Sequence, residues 1–130
     1  MTEPSLAKNP TEAEIDILRI LWQRGPSTVK EVHEEIRRLR STRLTTTLKQ
    51  MQMMTEKGLL RRDESRRPQR FSPQVPQDST LRQLAAGLLE RAFGGSAERL
   101  VMHALEAKKV SREELDRIRK LLDDFEEGKK

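Results

Sequence analysis

The stretch from Thr42 to Phe71, TRLTTTLKQMQMMTEKGLLRRDESRRPQRF, holds the densest set of side chains able to do recognition chemistry. Thr45, Thr46, Lys49 and Gln52 bring hydroxyls, an ammonium and an amide at helical spacing. Arg43 precedes them, and Arg66, Arg67 and Arg70 follow around a proline. Hydroxyls and amides exchange hydrogen bonds with base edges, and cations meet phosphate oxygens. No catalytic constellation accompanies them. The two histidines, His33 and His103, lie in different segments with no acidic partner at a telling spacing, and there is no phosphate loop, no HExxH and no cysteine. The chemistry on offer is non-covalent, so no enzyme activity, cofactor or metal is expected. The five methionines read as core or interface filling rather than soft-metal ligands.

Charge gathers in the same region. From Arg37 to Arg70 eleven basic residues stand against Glu56, Asp63 and Glu64, a net of +8 in a chain whose total is +5, so the remainder sums to −3. A basic block in an otherwise acidic chain is the electrostatic footprint of a nucleic-acid binder. From charge alone, a solvated charged face is the plain alternative. With 130 residues, 34% apolar and 3% aromatic, the core must be modest, and a partner subunit is expected to complete part of the fold. No apolar run approaches the ~18–20 residues of a membrane span, and the N-terminus has no signal-peptide core. The expectation is a cytoplasmic protein without membrane insertion.

The positioning elements follow from capping signals and periodicity. Residues 1–10 are polar, contain Pro4 and Pro10, and read as a frayed tail. Thr11 with Glu14 makes a capping box, and Ile15, Leu18, Leu21 and Trp22 follow at helical spacing until Gly25-Pro26. Trp22 reads as a core anchor. A second box, Thr28 with Glu31, opens a helix whose buried stripe is Val29, Val32, Ile36 and Leu39, leaving His33 on the polar side. Pro26-Ser27-Thr28 suits a short strand pairing with a later hairpin. In the third helix, at ~100° per residue, Leu44, Thr47, Leu48, Met51 and Met54 share the side expected to pack on the first two helices. Thr45, Thr46, Lys49, Gln52, Met53 and Glu56 share the other. Three successive threonines are a poor choice on helix propensity alone, which argues that another role keeps them. Gly58 ends the helix. Leu59–Asp63 and Gln69–Ser72 then form a hairpin with a basic tip, anchored by Phe71. The arginines of that tip suit phosphates or a narrow minor groove.

Pro73 and Pro76 mark a connector, beyond which three amphipathic helices are predicted. Their apolar faces carry Leu81, Leu84, Leu88 and Phe93, then Leu100, then Leu115, Ile118, Leu122 and Phe125. Ser96 caps the second, and Ser111 with Glu114 makes a third capping box. Three short helices cannot bury such faces alone, and pairing with a second copy is the economical solution; folding back on the N-terminal part is the alternative. The fold class is therefore mainly α with a small β-wing. Two domains are expected, residues 1–75 with the polar helix and basic hairpin and residues 76–130 with the three further helices.

The whole arrangement resembles the penicillinase-repressor family (BlaI/MecI, with copper-responsive CopY relatives). The resemblance rests on TTTLKQMQMMTEKGLLRRDES, on Phe71 at the aromatic closing the wing, on Phe93-Gly94-Gly95-Ser96, and on SREELDRIRKLLDD. It implies a winged helix-turn-helix DNA-binding domain over residues 1–75, a three-helix dimerisation domain over residues 76–130, and a homodimeric repressor on an inverted-repeat double-stranded DNA operator. It also implies partnership with a membrane sensor or its protease, with a scissile bond falling by position at His103-Ala104, where the family pattern is Asn-Phe. Lys49 stands where the β-lactam repressors have threonine, and Met53 where they have arginine. Metal sensing through C-terminal cysteines, as in the CopY relatives, is excluded by the lack of cysteine. A different class also fits the basic hairpin: an adaptor that docks an acidic protein partner.

Overall fold

Thr11 and Thr28 start helices as their spacing predicts. In the computed structural model, which describes residues 10–128, Thr11 Oγ1 accepts the Glu14 N–H at 3.2 Å while Glu14 Oε1 accepts the Thr11 N–H at 3.0 Å. The resulting α1 spans Glu12–Arg24. Thr28 and Glu31 make the same reciprocal pair at 3.1 and 2.9 Å and open α2, Val29–Arg37. Of the frayed tail expected over residues 1–10, residues 1–9 lie outside the described residues, and Pro10 is buried rather than frayed.

Helix α3 spans Leu44–Glu56 and ends in a Schellman motif. The Leu59 N–H reaches the Met54 carbonyl at 2.9 Å and the Gly58 N–H that of Thr55 at 3.2 Å. Gly58 sits at φ +86°, a left-handed conformation that is strained for a residue with a Cβ. Strands β1 (Leu60–Asp63) and β2 (Arg70–Pro73) pair antiparallel, with Arg62 opposite Phe71. Ser27 adds the predicted third contribution: its N–H and carbonyl both bond to Phe71, at 3.0 and 2.7 Å.

The core lies where these pieces meet. Ile17, Leu18 and Leu21 of α1, Val32 and Ile36 of α2, and Met51 and Met54 of α3 close on Leu59, Leu60, Phe71 and Val75. Trp22 packs half-buried against this cluster and its Nε1–H donates to the Val75 carbonyl at 3.1 Å. Glu14 serves twice. Its second oxygen accepts from Lys57 Nζ at 2.6 Å, tying the start of α1 to the end of α3. Leu18→Ala should remove about 2–5 kcal/mol of stability, because the side chain is fully buried and the site cannot collapse completely. Urea unfolding followed by the single tryptophan should show a lower midpoint at unchanged slope.

Three expectations about packing need correction. Leu39 is exposed, because α2 stops at Arg37 and the chain turns away before the stripe reaches it. His33 is buried and shares a 2.9 Å hydrogen bond between its Nδ1 and Thr47 Oγ1. Helix α2 packs against both α1 and α3, so it is covered over a wider arc than one apolar stripe predicts. Leu44 and Leu48 are 43% and 38% exposed rather than packed inward.

The chain divides into two compact units between Ala86 and Gly87. Helix α4 (Gln77–Phe93) crosses that boundary. In the second unit, α5 (Ala97–Ala107) and α6 (Arg112–Glu126) follow. Ser96 and Ser111 cap them, accepting the N–H of Arg99 and of Glu114. At Ser111 only this forward arm of the expected box forms. From Leu81 to Gly128 no side chain is buried.

Candidate nucleic-acid interface

Helix α3 has one face packed inward and one open. Thr47, Met51 and Met54 are buried, which at ~100° per residue sets Thr45, Lys49 and Gln52 on the opposite side, all exposed, with exposed Thr46 and Met53 on one flank. The structure thus brings the four predicted base-reading side chains onto one open surface. Arg43 occupies the N-cap of α3, makes no side-chain cap bond and is exposed.

Ion pairing sorts the basic block. Arg37 and Arg38 pair with Glu34 and Glu35, Arg40 with Asp16, Lys57 with Glu14 and Arg62 with Glu64. Arg43, Lys49, Arg61, Arg66, Arg67 and Arg70 form no ion pair among the described residues. Five of these six are the cations singled out from the sequence. A guanidinium already facing a carboxylate has less field left for a phosphate, so the unpaired set carries the local positive potential.

The hairpin tip is held by a turn that the sequence reading passed over. Asp63 accepts from both the Ser65 N–H, at 2.9 Å, and the Ser65 hydroxyl, at 2.7 Å. Those two bonds, the hydroxyl first, hold the Asp63 carboxyl below its ordinary range, and Arg66 and Arg61 add to the effect. The Asp-x-Ser spacing was the available signal. Arg70 Nη1 donates to the Pro68 carbonyl at 3.4 Å. Its charge also acts on Glu31, whose carboxyl is lowered chiefly by the Thr28 N–H it accepts, against desolvation, with Arg24 and then Arg70 assisting. That capping contribution is present above the carboxylate range and is lost as the pH falls through it.

Between α3 and the hairpin lies a trough of about 450 Å³, lined by Thr28, Val29 and Lys30, by Leu44, Leu48 and Gln52, and by Arg62, Arg67, Pro68, Gln69 and Phe71. It joins Gln52 on the helix to Arg67 on the hairpin. Arg66 does not line it. His103 and Ala104 are both exposed on α5, in the second unit, where His103 stacks near Phe93 with ring centroids 5.7 Å apart.

A helix open along its outer face, braced by two others and followed by a hairpin of unpaired arginines, defines the winged helix-turn-helix class. The chain belongs to the penicillinase repressor family, whose model matches residues 10–124. It is 31% identical over 114 residues to the transcriptional regulator BlaI of Mycobacterium tuberculosis, covering 83% of this chain and 78% of the relative. The penicillinase repressor of Bacillus licheniformis is 20% identical over 120 residues, 92% and 94% of the two chains. That of Staphylococcus aureus is 21% identical over 113 residues, 87% and 90% of the two chains. The family is one of transcriptional repressors, not of enzymes, and no described helix is long and apolar enough to cross a membrane.

Proposed function

We propose that the protein represses transcription in the cytoplasm as a homodimer on an inverted-repeat operator. The observation that carries this reading is the open face of α3, which gathers hydroxyl, amide and ammonium groups on one exposed surface and whose Gln52 shares a trough with Arg67 of the hairpin. Helix α3 enters the major groove with Thr45, Thr46, Lys49 and Gln52 toward the bases. Arg43, Arg66, Arg67 and Arg70 meet the backbone or the minor groove. Two copies of α3 about one or two DNA turns apart, ~34 Å per turn, read the two arms.

Residues 1–75 act as the DNA-binding domain and residues 76–130 as the dimerisation domain. Support for the second role comes from apolar side chains left in water: Leu81, Leu88, Leu122 and Phe125 are exposed, and Leu84, Phe93, Leu100, Leu115 and Ile118 are only part-covered. Induction by a membrane sensor or its protease would cut His103-Ala104 in the interior of α5. Proteases favour exposed, irregular chain, so α5 would have to unwind first, whereas both side chains are already accessible.

The test is a mobility shift of the full chain on duplexes spanning its own promoter, against shuffled duplexes of equal length. A repressor gives a sequence-dependent shift that weakens steeply with salt. An adaptor docking an acidic protein through its hairpin gives none, and that result would sink the proposal.

A further inference from the structure

The trough beside α3 has an apolar floor that the reading above leaves unused. Leu44 and Leu48 stand one turn apart on α3, Val29 of α2 lies alongside, buried Phe71 lies beneath, and Pro68 closes the hairpin side. Its rim is of opposite character. Lys30, Arg62 and Arg67 supply cations, Gln52 supplies an amide, and no acid lines it. Arg62 is already engaged by Glu64 at 2.9 Å, which leaves Lys30 and Arg67 as the cations of the rim that form no ion pair among the described residues. An occupant must therefore bring apolar groups to the floor, a hydrogen-bonding edge to Gln52, and negative charge to the margin.

A DNA strand meets all three demands. In the major groove an A·T pair shows the adenine N6 and N7, which a glutamine can bond together, and the thymine C5-methyl, which takes apolar contact. Leu48 and Gln52 are one helical turn apart and line the same trough, so they address the same or adjacent base pairs. We infer, resting on the DNA-binding reading above, that Leu48 is a specificity residue for thymine. Its side chain, flanked by Leu44 and Val29, packs on a thymine C5-methyl beside an adenine bonded by Gln52, and Lys30 and Arg67 take the flanking phosphates.

The experiment begins with the full chain selecting duplexes from a random pool. In the recovered duplex each thymine is replaced in turn by uracil, which lacks only the methyl, and affinities are measured for the wild type and Leu48→Ala. At one thymine per arm, uracil should weaken wild-type binding about fourfold, the worth of burying about one methyl group, ~0.8 kcal/mol. Leu48→Ala should bind thymine and uracil duplexes about equally at that position. Because Leu48 is exposed, the variant's helix content by circular dichroism should be unchanged, which separates the loss of methyl recognition from unfolding. A flat uracil scan, or a penalty that persists undiminished in Leu48→Ala, overturns thymine reading and returns the trough to another occupant, such as an acidic peptide. Recovery of no sequence at all overturns the DNA-binding reading itself.

Discussion

Leu122→Lys combined with Phe125→Lys should turn the proposed dimer into a monomer and reduce affinity for an inverted repeat by about 10²- to 10⁴-fold, the range over which linking two binding events raises avidity. The two residues lie one turn apart on α6 and are 59% and 62% exposed. Neither side chain therefore holds a single chain together. Lysine is well tolerated in helices and suits their last turns, so α6 itself should persist. What changes is the cost of bringing two such faces together, since each ammonium would have to leave water without a partner. Sedimentation equilibrium should report the mass of one chain, and titration of a single half-site should be nearly unaffected. Retention of the dimer mass would show that the apolar side of α6 is not the interface.

Lys49→Ala and the pair Arg66→Ala with Arg67→Ala should both weaken operator binding, in ways that can be told apart. Lys49 lies at the middle of the open face of α3 and forms no ion pair among the described residues. If its ammonium meets a base edge, the alanine variant loses about 1–3 kcal/mol on the operator and much less on random DNA. If the hairpin arginines meet phosphates as proposed, their removal should weaken all sequences alike. It should also flatten the dependence of log K on log salt by about 0.9 for each phosphate no longer neutralised. Binding isotherms on operator and random duplexes across a salt series measure both quantities. Equal losses on the two duplexes for Lys49→Ala would remove it from the base-reading set.

The parts of the fold that can be read from the sequence are those set by local rules. Thr11 and Thr28 announce their helices because a capping box is complete within four residues. Gly58 announces the end of α3 because its conformation is one that other residues rarely adopt. The two strands fall within a residue or so of their expected bounds, and Ser27 pairs with the hairpin as its place before α2 suggests. Periodicity also identifies Thr47, Met51 and Met54 as the inward side of α3.

What escapes the sequence depends on how many neighbours a helix has. A period of 3.6 says which residues share a side but not how much of that side is covered. His33 goes inward because α2 is packed against both α1 and α3. Leu44 and Leu48 stay outward although they share a side with Met51, because a trough is left between them and the start of α2 and the hairpin. The Asp63–Ser65 turn is a local motif in the sequence, but its value lies in fixing the tip that carries Arg66 and Arg67.

The hydrogen bond between His33 and Thr47 bears on how such a protein could acquire new targets. Thr45, Thr46 and Thr47 are consecutive, yet only Thr47 is tied into the interior. Substitutions at the first two, or at Lys49 and Gln52, alter what the surface presents without disturbing what supports it. At Thr47 a change would strand a buried imidazole without its partner, so under the proposed function the preference for one target and the integrity of the scaffold fall on different residues of a single helix. A designer retargeting this chain, or a duplicated gene drifting toward a new promoter, would vary Thr45, Thr46, Leu48, Lys49 and Gln52 and leave Thr47 alone with the buried Met51 and Met54.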